Sequence, residues 1–137
     1  MFAESDAALS PDGRWVAYTS NDSGTTQIVV QSFPKATAKV QVSANGGLGP
    51  QWGASGKELF FVAPDARLMV VPVRATTEGF KYGAASALFK TRIVNTSIPV
   101  NGAEFAVSAG GRIMVNEAVD DLPTPITVIL NWSGAGR

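Results

Sequence analysis

The sequence predicts an all-β protein, and three observations carry that expectation. No window of about 11 residues places apolar side chains at i, i+3, i+4 and i+7 without a Gly or Pro interruption, so amphipathic helices are not expected. Short β-branched and aromatic runs recur between turn residues, and most of the 14 glycines and 8 prolines fall between those runs. A turn-plus-strand pattern also occurs three times along the chain.

Taken in order, strand 15–19 (WVAYT) follows the tight-turn pair Asp12-Gly13, and strand 27–32 (QIVVQS) follows the turn residues 21–24. Strand 39–43 (KVQVS) comes after Pro34. Strand 58–62 (ELFFV) follows Ser55-Gly56, and strand 67–73 (RLMVVPV) follows Pro64-Asp65. Next come 87–93 (ALFKTRI) and 104–107 (EFAV). Strand 112–116 (RIMVN) opens after Gly110-Gly111, and strand 126–132 (ITVILNW) opens after Pro123 and Pro125.

Ile28-Val29-Val30, Leu59-Phe60-Phe61-Val62 and Leu68-Met69-Val70-Val71 are apolar at successive positions. A strand with one wet face alternates with period two, so these strands are expected in sheets covered on both sides. A two-sheet sandwich leaves one face of each sheet in water; stacked β-propeller blades do not. The three repeats are SPDGRWVAYTS at 10–20, GASGKELFFVA at 53–63 and SAGGRIMVNEA at 108–118, sharing Gly13, Gly56 and Gly111. Gly56 lies 43 residues after Gly13, close to the ~40–45 of a four-stranded blade, and Gly111 lies 55 after Gly56 because 74–102 holds a longer connection. The expected architecture is one partial propeller domain over 1–137 with antiparallel four-stranded blades at about 7–43 and 49–93. An incomplete third blade follows at about 104–132.

The segment SPDGRWVAYTSNDSG with QIVVQSFP resembles the TolB-type, WD-like propeller repeat of bacteria, centred on a W-S-P-D-G-K-x-apolar-A-aromatic pattern. GPQWGASGKELFFVAPDARLMVVPV resembles a next blade, and TPITVILNWSGAGR is similar to the end of the propeller regions behind bacterial serine/threonine kinase domains. The turn aspartate stands only at Asp12, with Ser55 and Gly110 in its place elsewhere, and no kinase motif is present. The resemblance implies a non-enzymatic interaction or sensor module in a periplasmic or other extracytoplasmic setting. It also implies that the loops 21–25, 64–67 and 118–124 gather at one rim of the ring. Asn21, Asp22, Pro64, Asp65, Asp120 and Asp121 are the candidate binding residues there, for a protein or small ligand. Asp12, Gly13, Gly56 and Gly111 are candidate structural turn residues.

Composition narrows the chemistry. With 137 residues, no Cys and no His, the chain has no disulfide, thiolate nucleophile, Ser-His-Asp triad or imidazole metal ligand. Eleven Lys+Arg balance eleven Asp+Glu, which argues against nucleic acid and anionic membranes as partners. No apolar run approaches the length of a membrane span. The phosphate-loop lookalike at 55–58 has Gln51 where the first glycine is needed and Glu58 where the Ser/Thr belongs. Asp120-Asp121 reads as a solvated loop pair ahead of a calcium site. No catalytic residue, cofactor or metal is expected. About three blades do not close a ring of 4–8, so a homo-oligomer or further blades of a longer chain would complete it. A self-assembling structural unit and an accessory propeller fragment of a hydrolase are the alternatives.

Overall fold

In a computed structural model, residues 4–76, 78–92, 105–116 and 127–129 are described. They form twelve strands and, among them, no helix, hence none long and apolar enough to cross a membrane. The first sheet takes β1 (Glu4–Leu9), β2 (Trp15–Ser20), β3 (Gln27–Ser32) and β4 (Lys39–Gln41) in that order. The second orders β5 (Leu48–Trp52), β6 (Glu58–Val62), β7 (Arg67–Thr76) and β8 (Gly79–Tyr82), with β9 (Ser86–Lys90) also on β7. β10 (Phe105–Val107), β11 (Ile113–Val115) and β12 (Thr127–Ile129) make the third. Every pairing is antiparallel.

The first two sheets repeat each other at the 43-residue offset. Ser5 pairs Thr19 and Ala8 pairs Ala17 around a bulge; 43 residues on, Leu48 pairs Val62 and Gln51 pairs Phe60 around another. The turns correspond as well. Gly13 N–H donates to the Ser10 carbonyl at 2.8 Å and Gly56 N–H to that of Gly53 at 2.9 Å. Gly111 N–H donates to the Ser108 carbonyl at 3.0 Å. The three glycines have φ of 71°, 70° and 76°, a left-handed conformation in which a Cβ would be strained.

Successive side chains of β6 enter different cores, since a strand turns alternate residues to opposite faces. Leu59 and Phe61 join Trp15, Ala17, Ile28 and Val30 of the first sheet. Phe60 and Val62 join Phe105, Ile113 and Val115 of the third. The second sheet is therefore covered on both faces, which is why ELFFV shows no polar alternation. At about 25 cal/mol per Å², burying each of the Leu, Ile, Val and Phe side chains contributes ~1.5–3 kcal/mol.

Several elements differ from the expected ones. β1 and β5 lie outside the expected strands: ESDAAL has weak β propensity, and Gly49-Pro50 in LGPQW reads as a breaker. Proline is admissible there because β5 is an edge strand and Pro50 lies in its bulge. The strand expected at 39–43 ends at Gln41, because Val42 N–H and the Ser43 side chain turn inward to Ile28. The strand expected at 67–73 runs on to Thr76 and folds back as β8, so part of the presumed loop 74–102 is an extra hairpin. Phe80 on that hairpin packs against Trp15 (5.1 Å between ring centroids) and Trp52 (6.1 Å, edge-on). The strand expected at 87–93 is β9, Ser86–Lys90. Of the strand expected at 126–132, Thr127–Ile129 is seen and the rest lies outside the described residues.

Candidate functional site

Two turn ends define the molecule's poles, and they differ. At one, a Cβ placed on Gly56 would sit 3.7 Å from the Pro11 ring, so the turns 10–14 and 53–57 are neighbours. There Asp12 Oδ1 accepts from Ser10 Oγ (2.6 Å) and from Arg14 N–H (3.1 Å), while Ser10 Oγ accepts from Trp15 N–H (3.0 Å). The Ser10 hydroxyl, then the Arg14 amide, lower the Asp12 pKa below its ordinary 3.8. Asp12 is thus a turn-fixing carboxylate.

At the opposite pole three connections meet. The β2–β3 loop, the β4–β5 crossover and the β6–β7 turn enclose a cleft of about 490 Å³. Thr25, Thr26 and Gln27 line one side, residues 44–48 the second, and Pro64 the third. The crossover is drawn in because its glycines allow close approach. A Cβ on Gly47 would lie 2.7 Å from Phe61 Cδ2 and 2.8 Å from Ile28 Cγ1, and one on Gly46 would lie 2.8 Å from Pro64 Cγ. Gly46 also has φ of 94°.

Gln27, buried, holds the floor. Its Oε1 accepts from Ser43 Oγ and from Gly46 N–H (3.0 Å), and its Nε2 donates to Thr25 Oγ1 (3.0 Å). Ser43 Oγ in turn accepts from Ile28 N–H at 2.8 Å, and Gly47 N–H donates to the Thr26 carbonyl at 3.0 Å. One amide side chain so ties the last turn of the β2–β3 loop to the crossover between sheets. Each buried polar atom in this network has its partner, as a rigid floor requires.

The expected loop residues fall in different places. Pro64 forms a wall of the cleft. Asp65 closes its own turn, accepting from Arg67 N–H at 3.2 Å and facing Arg67 Nε at 3.4 Å. The Asn21 carbonyl accepts from Gly24 N–H at 2.9 Å. Asp22 turns toward Lys39 (2.9 Å), whose hydrogen bond lowers the aspartate pKa, while Lys39 is raised in return. Asp22 and Lys39 border a separate depression of about 110 Å³ on the outer face of the first sheet. Asp120 and Asp121 lie outside the described residues. Nothing local in the sequence links Gln27 and Ser43 to the crossover, because Gly49-Pro50 hides β5, although Asn45-Gly46-Gly47 is a turn signal in its own right.

Among the described residues, no ionisable side chain lines the larger cleft. It offers the hydroxyls of Thr25 and Thr26, the carboxamides of Gln27 and Asn45 and the apolar side chains of Ala44, Leu48 and Pro64, an arrangement that can hold an uncharged group by hydrogen bonds and contact. Among the described residues, no three His, Cys, Asp or Glu gather as metal ligands. No protein-family model matches the chain, and no curated protein matches it significantly.

Proposed function

We propose that this chain is a non-enzymatic interaction module of propeller-type blades, resembling the TolB-type, WD-like repeats, that takes its partner in the cleft between the first two sheets. The observation that carries the reading is the meeting of three connections, from two sheets that repeat at 43 residues, around one cleft with a fixed floor. Supporting the blade reading, the first strands of the two sheets lie side by side, and Trp52 Nε1 donates to the Ala8 carbonyl at 2.9 Å. The middle sheet is covered on both faces, as a blade between neighbours would be.

A displayed peptide library panned on the folded chain tests this. Clones should lose binding to Thr26→Arg and Asn45→Arg and keep it for Lys57→Glu at the other pole. Clones that bind all three variants alike would sink the reading.

A second reading, self-assembly into a closed ring, draws on Met114 (45% exposed) and Leu9 (53%), which lie on outward faces of the third and first sheets. The first sheet weighs against it. By register Tyr18 and Val29 share a face with Gln31, Lys39 and Gln41, and Tyr18 Oη donates to Gln31 Oε1 at 3.2 Å. Lys39 Nζ stands 5.8 Å from the Tyr18 ring centre. Long polar side chains already cover Tyr18 and Val29 on this face, though not Leu9, as on a terminal repeat exposed to water.

A further inference from the structure

We infer that the cleft takes a short, uncharged stretch of peptide main chain. The inference rests on the interaction-module reading above and adds the class of ligand.

Charge is the first argument. Among the described residues, no Lys, Arg, Asp or Glu contributes to the lining. A carboxylate, phosphate or ammonium would find no counter-charge among these residues to repay the water it gives up. The glycine loop does not rescue an anion. Gly46 N–H is committed to Gln27 Oε1 and Gly47 N–H to the Thr26 carbonyl, so neither amide points to an incoming phosphate.

Hydrogen-bonding pattern is the second argument. Asn45, exposed on the crossover, carries both an NH₂ donor and a carbonyl acceptor, the complement of the C=O and N–H that one extended residue presents on the same side of a main chain. The hydroxyls of Thr25 and Thr26 stand on the facing loop, and Thr25 Oγ1 is held as an acceptor by Gln27 Nε2, which leaves its O–H proton to donate outward. The Pro64 ring and Leu48 supply apolar contact for a small side chain. The described residues bring no aromatic ring to the lining, and it is on aromatic faces that the C–H surface of a sugar ring packs best, so the wall chemistry favours an amide chain over a carbohydrate. The volume, about 490 Å³, falls within the ~300–1,000 Å³ of ligand clefts.

The test is an amide-shift titration of the isotopically labelled chain with four probes: acetyl-Ala-Ser-Ala-amide, the same tripeptide with free charged termini, inorganic phosphate and maltose. The capped peptide should shift Thr25, Thr26, Asn45 and Gly46 saturably. The uncapped peptide should bind at least about tenfold more weakly, and phosphate and maltose should leave these amides in place. Asn45→Leu, which keeps the size and removes the amide, should weaken the capped peptide about fivefold, the cost of one net hydrogen bond. Saturable shifts with phosphate or maltose and none with the capped peptide would overturn the peptide inference while leaving the cleft as a binding site. No probe shifting these amides, with library clones still dependent on Thr26, would show that peptide side chains and not the uncharged main chain are read, and would overturn this inference alone. No shift and no Thr26-dependent clone would remove both.

Discussion

Asp6 and Gly49 occupy the same place in consecutive sheets. They are 43 residues apart, each sits in the bulge of its sheet's first strand, and their φ angles are 56° and 61°. The backbone demands a left-handed residue at this point of the repeat, and one sheet meets the demand with glycine while the other uses aspartate, a side chain that tolerates it better than most.

That equivalence makes backbone preference testable without side-chain packing. A Cβ on Gly49 would meet nothing within 4 Å, so Gly49→Ala isolates the conformational term. It should cost about 1 kcal/mol, lowering Tm by roughly 4 °C. The β2–β3 and β6–β7 turns offer the converse. Gly24 N–H donates to the Asn21 carbonyl and Ala66 N–H to that of Ala63, both at 2.9 Å, with φ of 88° and 67°. Ala66→Gly should therefore stabilise by about 0.5 kcal/mol, read by urea denaturation.

Gly47 presents the opposite case, where space decides. Alanine there would press its methyl on Phe61 and Ile28, both fully or almost fully buried. The expected loss is about 2–3 kcal/mol, with a lowered midpoint and an unchanged denaturant slope. Gly47→Ala behaving like Gly49→Ala would show that the crossover is not held against the core.

The floor of the cleft depends on Gln27. Gln27→Ala leaves the Ser43 hydroxyl and Gly46 N–H without their acceptor and should destabilise by about 2–3 kcal/mol. Freeing the Gly46 nitrogen also exposes Asn45 to attack on its own side-chain carbonyl. The variant should accumulate isoaspartate at residue 45 faster than the wild type under conditions where both remain folded, as peptide mapping would reveal.

Acid should weaken the first turn through Asp12. Its folded pKa lies below the ordinary 3.8, so the unfolded chain takes up the proton first as pH falls. The stabilisation is present above about pH 4 and is lost as pH drops through the lower folded value. Because Asp12 is exposed to screening solvent, the term is under ~1 kcal/mol. The Tm gap between wild type and Asp12→Ala should be widest near neutrality and narrow toward pH 2.

Much of this was legible in the residues. Asp12-Gly13, Ser55-Gly56 and Gly110-Gly111 announced three like turns, and the run ELFFV announced a strand buried on both faces. The other elements are hidden from the sequence for physical reasons. β1 and β5 are edge strands shaped by bulges, so neither needs a strong β pattern, and Pro50 masks the second altogether. β8 is short, and Phe80 earns its place by long-range packing on Trp15 and Trp52, which no local pattern reports. The cleft escaped for the same reason as β5. Its floor joins Gln27 to Ser43 and Gly46, residues 16 and 19 positions away whose proximity follows from the sheet crossover.

The central claim is that the three-loop cleft is where this chain binds. Calorimetric titration of one library-selected peptide into the wild type, Thr26→Arg and Lys57→Glu tests it most directly. The account predicts equal heats for the wild type and Lys57→Glu and at least a tenfold loss of affinity for a folded Thr26→Arg. Equal affinity for all three, or a loss confined to Lys57→Glu, would contradict it.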